Sequence, residues 1–122
     1  MAKAQFMGHP ISGTAGAAIT RGQLVKADTF PGVVKTAGDS DVVLGIALAD
    51  AANGEQVSIG VNRGVYTVTG TATAGQRLSA DQDGKVKAIA NTKPCIGYAL
   101  ETATASTMLI LFDGSNSINT VE

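Results

Sequence analysis

The strongest constraint on this chain is that it repeats itself. Thr20-Arg-Gly-Gln-Leu-Val-Lys-Ala-Asp28 is echoed by Thr73-Ala-Gly-Gln-Arg-Leu-Ser-Ala-Asp81 at Thr, Gly, Gln, Ala and Asp. Gly32-Val-Val-Lys35 returns as Gly84-Lys-Val-Lys87, and Leu44-Gly-Ile-Ala-Leu48 returns as Ile96-Gly-Tyr-Ala-Leu100. Val57, Ile59 and Val61 find counterparts in Met108, Ile110 and Phe112. Order is kept, and the spacing drifts only from 53 to 51 residues, as single-residue gaps in turns would produce. Four matches in register imply two copies of one β unit, residues 18–61 and 71–112. Two copies are too few for a solenoid, so the expectation is one β domain with internal twofold pseudosymmetry.

Period-two patterning fills in the unit. Val57, Ile59 and Val61 alternate with Gln56, Ser58 and Gly60, the mark of a strand with one buried face. Asn62-Arg63-Gly64 reads as a turn, and Val65, Tyr66 and Val68 restart in β-favouring residues. Residues 56–69 are therefore expected to form a hairpin joining the copies. Residues 23–37 read as a second hairpin, turned at Thr29-Phe30-Pro31-Gly32, and 76–90 as its repeat over Asp81–Gly84. Val42–Ala49 and Cys95–Leu100 read as buried strands, and Thr107–Phe112 as the closing one. The segments after Leu48 and Leu100 are expected to be loops. The fold class is all-β: a barrel or sandwich of about ten short strands with almost no helix. The domain spans 17–114, preceded by an extended arm over 1–16 and followed by a polar tail over 115–122. Phe6, Met7, His9, Pro10 and Ile11 are the arm's candidate partner contacts.

Composition narrows the function. Charged residues are 16% of the chain, below the usual quarter, which points to surface covered by self-association or a large partner. The net charge is −1 and the nine Lys and Arg are scattered, so no nucleic-acid partner is expected. No apolar run approaches the ~20 residues of a membrane span. The N-terminal residues lack the apolar stretch of a signal peptide, so synthesis in the cytoplasm is expected. Cys95 is the single cysteine and reads as a buried structural thiol.

Reactive groups do not assemble in the sequence. His9 is the only histidine, which leaves no His–Cys dyad and no zinc set. Gly38-Asp39-Ser40 resembles the nucleophile block of one esterase family, but no histidine follows to act as base; Asp39 and Ser40 read as turn formers. Asp81-Gln-Asp83-Gly84 begins like a calcium loop and lacks its later ligands, so it reads as a hairpin turn. No phosphate loop or dinucleotide fingerprint occurs. The expectation is a protein without enzymatic activity, metal or cofactor. Two other classes compete. A sugar-binding or fibre module would need an aromatic platform from Tyr66, Tyr98 or the three Phe. A lipoyl-type carrier would present Lys85 on its hairpin, although the usual carrier context around that lysine is missing.

The turn at Gly22-Gln23, the pair Leu44–Leu48 and Ile96–Leu100, Gly54-Glu55-Gln56-Val57 and Gly64-Val65 together resemble the small β-rich decoration (cement) proteins of tailed-bacteriophage capsids. The resemblance spans about residues 17–112. It implies a β-tulip-like fold and a homo-oligomer, a trimer in many members. It also implies a place on the outside of the virion, where the protein ties major capsid subunits together.

Overall fold

The computed structural model describes residues 11–29, 32–39, 41–89 and 94–118, with side chains omitted for 94 and 114–118. Among the described residues ten strands run in chain order: β1 Ile11–Ala15, β2 Leu24–Thr29, β3 Val33–Thr36, β4 Gly45–Ala47, β5 Gln56–Gly60, β6 Gly64–Ala72, β7 Arg77–Ala80, β8 Val86–Ala88, β9 Pro94–Ala99 and β10 Ala103–Ile118. A 3-10 turn, Gln82–Gly84, precedes β8.

The strands form two closed barrels with one topology. In barrel 1 the order is β1-β3-β2-β4-β5, and in barrel 2 it is β6-β8-β7-β9 closed by β10. β1 runs parallel to β3 and antiparallel to β5, as β6 does to β8 and β10. Closure leaves the described strands of each sheet with a neighbour on both sides, which suits a small β protein that must avoid indiscriminate strand pairing. The duplication is thus real, and it is longer than the sequence echo: each unit also includes the strand before it, β1 or β6.

Four expectations are corrected. Residues 56–69 are not a hairpin. β5 pairs with β1 and β4, and β6 pairs with β8 and β10, so Val61–Arg63 hands the chain from one barrel to the other. Alternation shows that a strand has a buried face but not which strand it pairs with. Residues 11–15 do not belong to an extended arm as expected, because Ile11–Thr14 pair with Gln56–Ile59 and Ala15 is buried; the rest of the expected arm lies outside the described residues. Residues 115–118, expected as part of a polar tail, continue β10 instead, with Ile118 paired to Pro94; residues 119–122 lie outside the described residues. Small residues such as Ser12, Gly13, Ser115 and Ser117 hid these strands from a hydrophobic pattern. The stretch 42–49 is shorter as a strand than expected, and Val42 is exposed. The hairpins at β2–β3 and β7–β8 form as expected.

The repeated Thr-x-Gly-Gln phrase is a turn with its own lock. Gly22 and Gly75 both take positive φ, 90° and 91°, where a Cβ would be strained. Gln23 Oε1 accepts the Thr20 N–H at 2.7 Å, and Gln76 Oε1 accepts the Thr73 N–H at 2.8 Å. Gly22 N–H then donates to Ala47 O, and Gly75 N–H to Ala99 O, tying each turn to β4 or β9.

A second repeated corner is unequal. Gly54 takes φ 91° before β5, and Ala105 takes φ 49° at the matching place in the β10 irregularity, where its N–H donates to Thr71 Oγ1 at 2.8 Å. Left-handed backbone costs a residue with a Cβ about 1–2 kcal/mol. Ala105→Gly should therefore stabilise the protein by about 0.5–1 kcal/mol after the glycine's extra chain entropy is subtracted. Calorimetry should show the melting temperature rising by a few degrees; a fall would contradict the strain.

The barrels share packing. Leu24, Ala37, Val43 and Ile46 of barrel 1 form one buried cluster with Val68, Val86, Ile96, Ile110 and Phe112 of barrel 2. A second cluster, built on Val25, Val34, Val57 and Ile59, fills barrel 1 itself. At the junction Gly84 N–H donates to Ala37 O at 2.8 Å and Gln23 Nε2 donates to Asp83 O at 2.9 Å. Lys87 pairs with Asp39 across the same seam. β2 and β4 thus close the end of barrel 2 that holds the β7–β8 turn.

Candidate interaction surface

β6, β10 and β9 lie side by side, and the register places their outward residues in rows. Val65 is opposite Leu111, and Leu111 is opposite Tyr98. In the next outward row Thr67 faces Leu109, and Leu100 N–H donates to Leu109 O at 3.0 Å. Strand alternation sends Val68, Met108, Ile110 and Phe112 inward, so these neighbours must point out. Val65 is 59% exposed and Leu100 47%, with Tyr98 and Leu109 also open to solvent. Single exposed apolar residues need no explanation; a run of them across three strands makes this face the candidate interaction surface.

The second feature is a cavity at one end of barrel 1, seen among the described residues. A cavity of about 270 Å³ lies between the start of β1, the end of β2 and the start of β3, with Ile11, Val33, Val34, Leu44 and Ile59 on its wall. Asp28 is the ionisable residue of its lining, and it also meets Lys35 at 3.6 Å. Of the candidate contacts in the arm, Ile11 is on this wall, half-buried. Phe6, Met7, His9 and Pro10 fall outside the described residues.

The groups weighed for chemistry have local structural tasks. Asp81 Oδ1 accepts the Gln82 N–H at 2.8 Å and caps the 3-10 turn. Asp41 Oδ2 accepts the Gly38 N–H at 2.7 Å and meets Lys26 at 3.0 Å. The Gly38 N–H, and after it the Lys26 ammonium, hold the Asp41 carboxyl below the usual carboxylate range. This closes the Gly38–Asp41 turn; Ser40 lies outside the described residues. Among the described residues no three His, Cys, Asp or Glu side chains converge as a metal site.

The competing classes meet specific obstacles. Tyr66 stands edge-on to Phe112, with ring centroids 5.8 Å apart, and its hydroxyl donates to Asn62 O at 2.8 Å. Burial pushes that hydroxyl's pKa up. The Tyr66 ring is therefore partly taken up in packing, whereas Tyr98, the other tyrosine considered for a platform, is exposed. Lys85 follows a turn whose Gly84 sits against Gln23 and Leu24, with a virtual Cβ only 2.8 Å from the Gln23 Cβ. A carrier lysine rides on a free hairpin tip, and this turn is docked on the neighbouring barrel. The sequence had no signal for the apolar band, because Tyr98, Leu100, Leu109 and Leu111 read equally well as core.

Comparison with known proteins adds to this geometry. The family model described as phage cement protein matches residues 7–113. Among solved structures, the N-terminal base of the head fiber protein gp8.5 of bacteriophage phi29 is similar, with a TM-score of 0.70 at 16% identity, covering 88% of this chain and 96% of that one. At that identity the likeness is one of fold. No match was found among curated protein sequences.

Proposed function

The chain belongs to the phage cement protein family, and we propose that it decorates the outside of a phage head, bridging major capsid subunits and stabilising their contacts. The observation that carries this reading is the apolar band of Val65, Leu111, Tyr98, Leu109 and Leu100 on a closed, stiff barrel. A cement protein performs no reaction. It needs a body that does not deform, broad contacts, and many copies. Linked copies that engage together multiply a weak individual contact, so modest affinity per contact suffices. A homotrimer supplies that linkage, and its subunit contacts would cover part of this sparsely charged surface.

In this reading Phe6, Met7, His9 and Pro10 reach the capsid protein or a neighbouring copy from the end of β1, where Ile11 stands. The test is to add the protein to expanded heads that lack it. Saturable binding and a higher disruption temperature of the heads are expected. A chain starting at residue 11 should keep its β circular dichroism and bind at least about tenfold more weakly. Heads that neither bind the full chain nor gain stability would overturn the reading.

A further inference from the structure

One turn in this chain is built three times. At Thr20–Gln23, Thr73–Gln76 and Ala52–Glu55 the fourth residue's N–H donates to the first residue's carbonyl, and its side-chain Oε1 accepts the first residue's N–H. The third residue is glycine at positive φ, 90°, 91° and 91° for Gly22, Gly75 and Gly54. The second residue is not at positive φ, so each is a type II turn. That second residue is what differs: Arg21, Ala74 and Asn53. Asn53-Gly54 is the chain's only Asn-Gly pair, and both residues are exposed.

An Asn-Gly pair carries its own chemistry. The glycine nitrogen, once it loses its proton to solvent, attacks the asparagine Cγ, and the missing glycine Cβ leaves that approach open. A C–N bond forms, the side-chain nitrogen leaves as ammonia, and a five-membered succinimide results. Water then adds to either ring carbonyl and breaks its bond to nitrogen, leaving aspartate or isoaspartate. Water is the only co-reactant. The fold opposes the first step in two ways. Gly54 N–H donates to Ala15 O at 2.7 Å, so β1 holds the nitrogen that would attack. A type II turn also sets ψ of its second residue at about 120°, which turns the Gly54 nitrogen away from the Asn53 side chain. Ring closure needs the two eclipsed. The holding contact belongs to the pairing of β1 with β5: Ala15 N–H donates back to Glu55 O at 2.8 Å, and Thr14 is opposite Gln56. Local opening of that pairing frees the nitrogen and the turn together.

We infer that Asn53 is a modification site governed by β1: while β1 stands beside β5 the Asn53–Gly54 pair is held unreactive, and each opening of that pairing exposes it to conversion into aspartate or isoaspartate. Isoaspartate brings its Cβ into the main chain. The turn is then one carbon longer between Ala52 and Glu55, and it no longer fits with the Glu55 N–H on Ala52 O and the Gly54 N–H on Ala15 O. Converted chains therefore hold β1 less well than before. The step runs one way, because the ammonia has left. Arg21 and Ala74 in the two sister turns have no side-chain amide, so the lability belongs to barrel 1 at this corner alone of the three. Nothing in it depends on what the protein binds.

Peptide mapping by mass spectrometry tests it, with the full chain incubated in one mildly alkaline buffer, folded or in urea. The wild type should convert Asn53 at least about tenfold more slowly when folded than in urea. Glu55→Ala removes the bond that locks the Ala52 N–H, and the Glu55 side chain is exposed, so the variant should fold. It should convert about threefold faster than the wild type when folded, and at the wild-type rate in urea. Asn53→Gln should keep the fold and show no mass change at this position over the same time. Separated isoaspartate chains should exchange their Ala15 and Gly54 amide hydrogens faster than unconverted ones. Equal wild-type rates folded and in urea, a folded Glu55→Ala chain no faster than the wild type, or isoaspartate chains with unchanged exchange would each overturn the inference.

Discussion

Gly97→Ala should cost about 4 kcal/mol or more, among the largest effects of any single substitution in this chain. Gly97 pairs with Phe112 across β9 and β10, and a Cβ on it would lie 1.9 Å from Leu111 O. The obstacle is backbone of the adjacent strand, so no rotamer change relieves it. The strands must separate where barrel 2 closes, and the ladder there is lost with them. Against a typical total of about 5–15 kcal/mol, this leaves a marginal protein. The denaturant midpoint should fall steeply with an unchanged slope. Gly54→Ala is the comparison. Its φ is also positive, 91°, but nothing lies within 4 Å of the added carbon, so its cost should stay near about 1 kcal/mol. Equal losses for the two would mean that close approach is not what holds glycine at 97.

Leu24→Asp should come next, with about 4 kcal/mol lost at pH 7. Leu24 is fully buried, and its side chain belongs to the cluster that fills barrel 2, although its strand is part of barrel 1. A carboxylate there would have neither water nor a cation. Burial would raise its folded-state pKa above the unfolded value, so the penalty should be greatest above that folded pKa and shrink as pH falls toward the unfolded one. The location of the damage is the sharper readout. Hydrogen exchange should quicken at Val86 and Ile96 in barrel 2 as well as along β2. Damage confined to β2 would show that the barrels do not depend on each other.

Much of the fold was legible, and for identifiable reasons. The Thr-x-Gly-Gln turn repeats because it needs a glycine at positive φ and a glutamine that reaches back to the threonine N–H; both requirements act over four residues. The repeated Gly45 and Gly97 mark places where strands cross too closely for a side chain. The hairpins β2–β3 and β7–β8 are local, so their turns announced them. β1 and the end of β10 were not legible. Ser12 and Gly13 in β1 and Ser115 and Ser117 in β10 carry little hydrophobic signal, and these strands are held by ladder partners distant in sequence. The interaction surface was hidden for another reason. Leu100 and Ile96 look alike in a sequence, yet Ile96 is buried and Leu100 is not.

The amino-acid sequence alone determined that this protein is a duplicated all-β unit with a phage cement protein's phrasing, because repeats, turn glycines and period-two faces are written in short stretches of chain. Tertiary structure alone decided that β5 and β6 part company into separate barrels, that strands of barrel 1 pack into the core of barrel 2, and that among the described residues Tyr98, Leu100 and Leu109 are exposed while Ile96 is buried. Those outcomes depend on which distant strand supplies each hydrogen-bond partner, and the alternation of apolar residues is the same whichever partner is chosen.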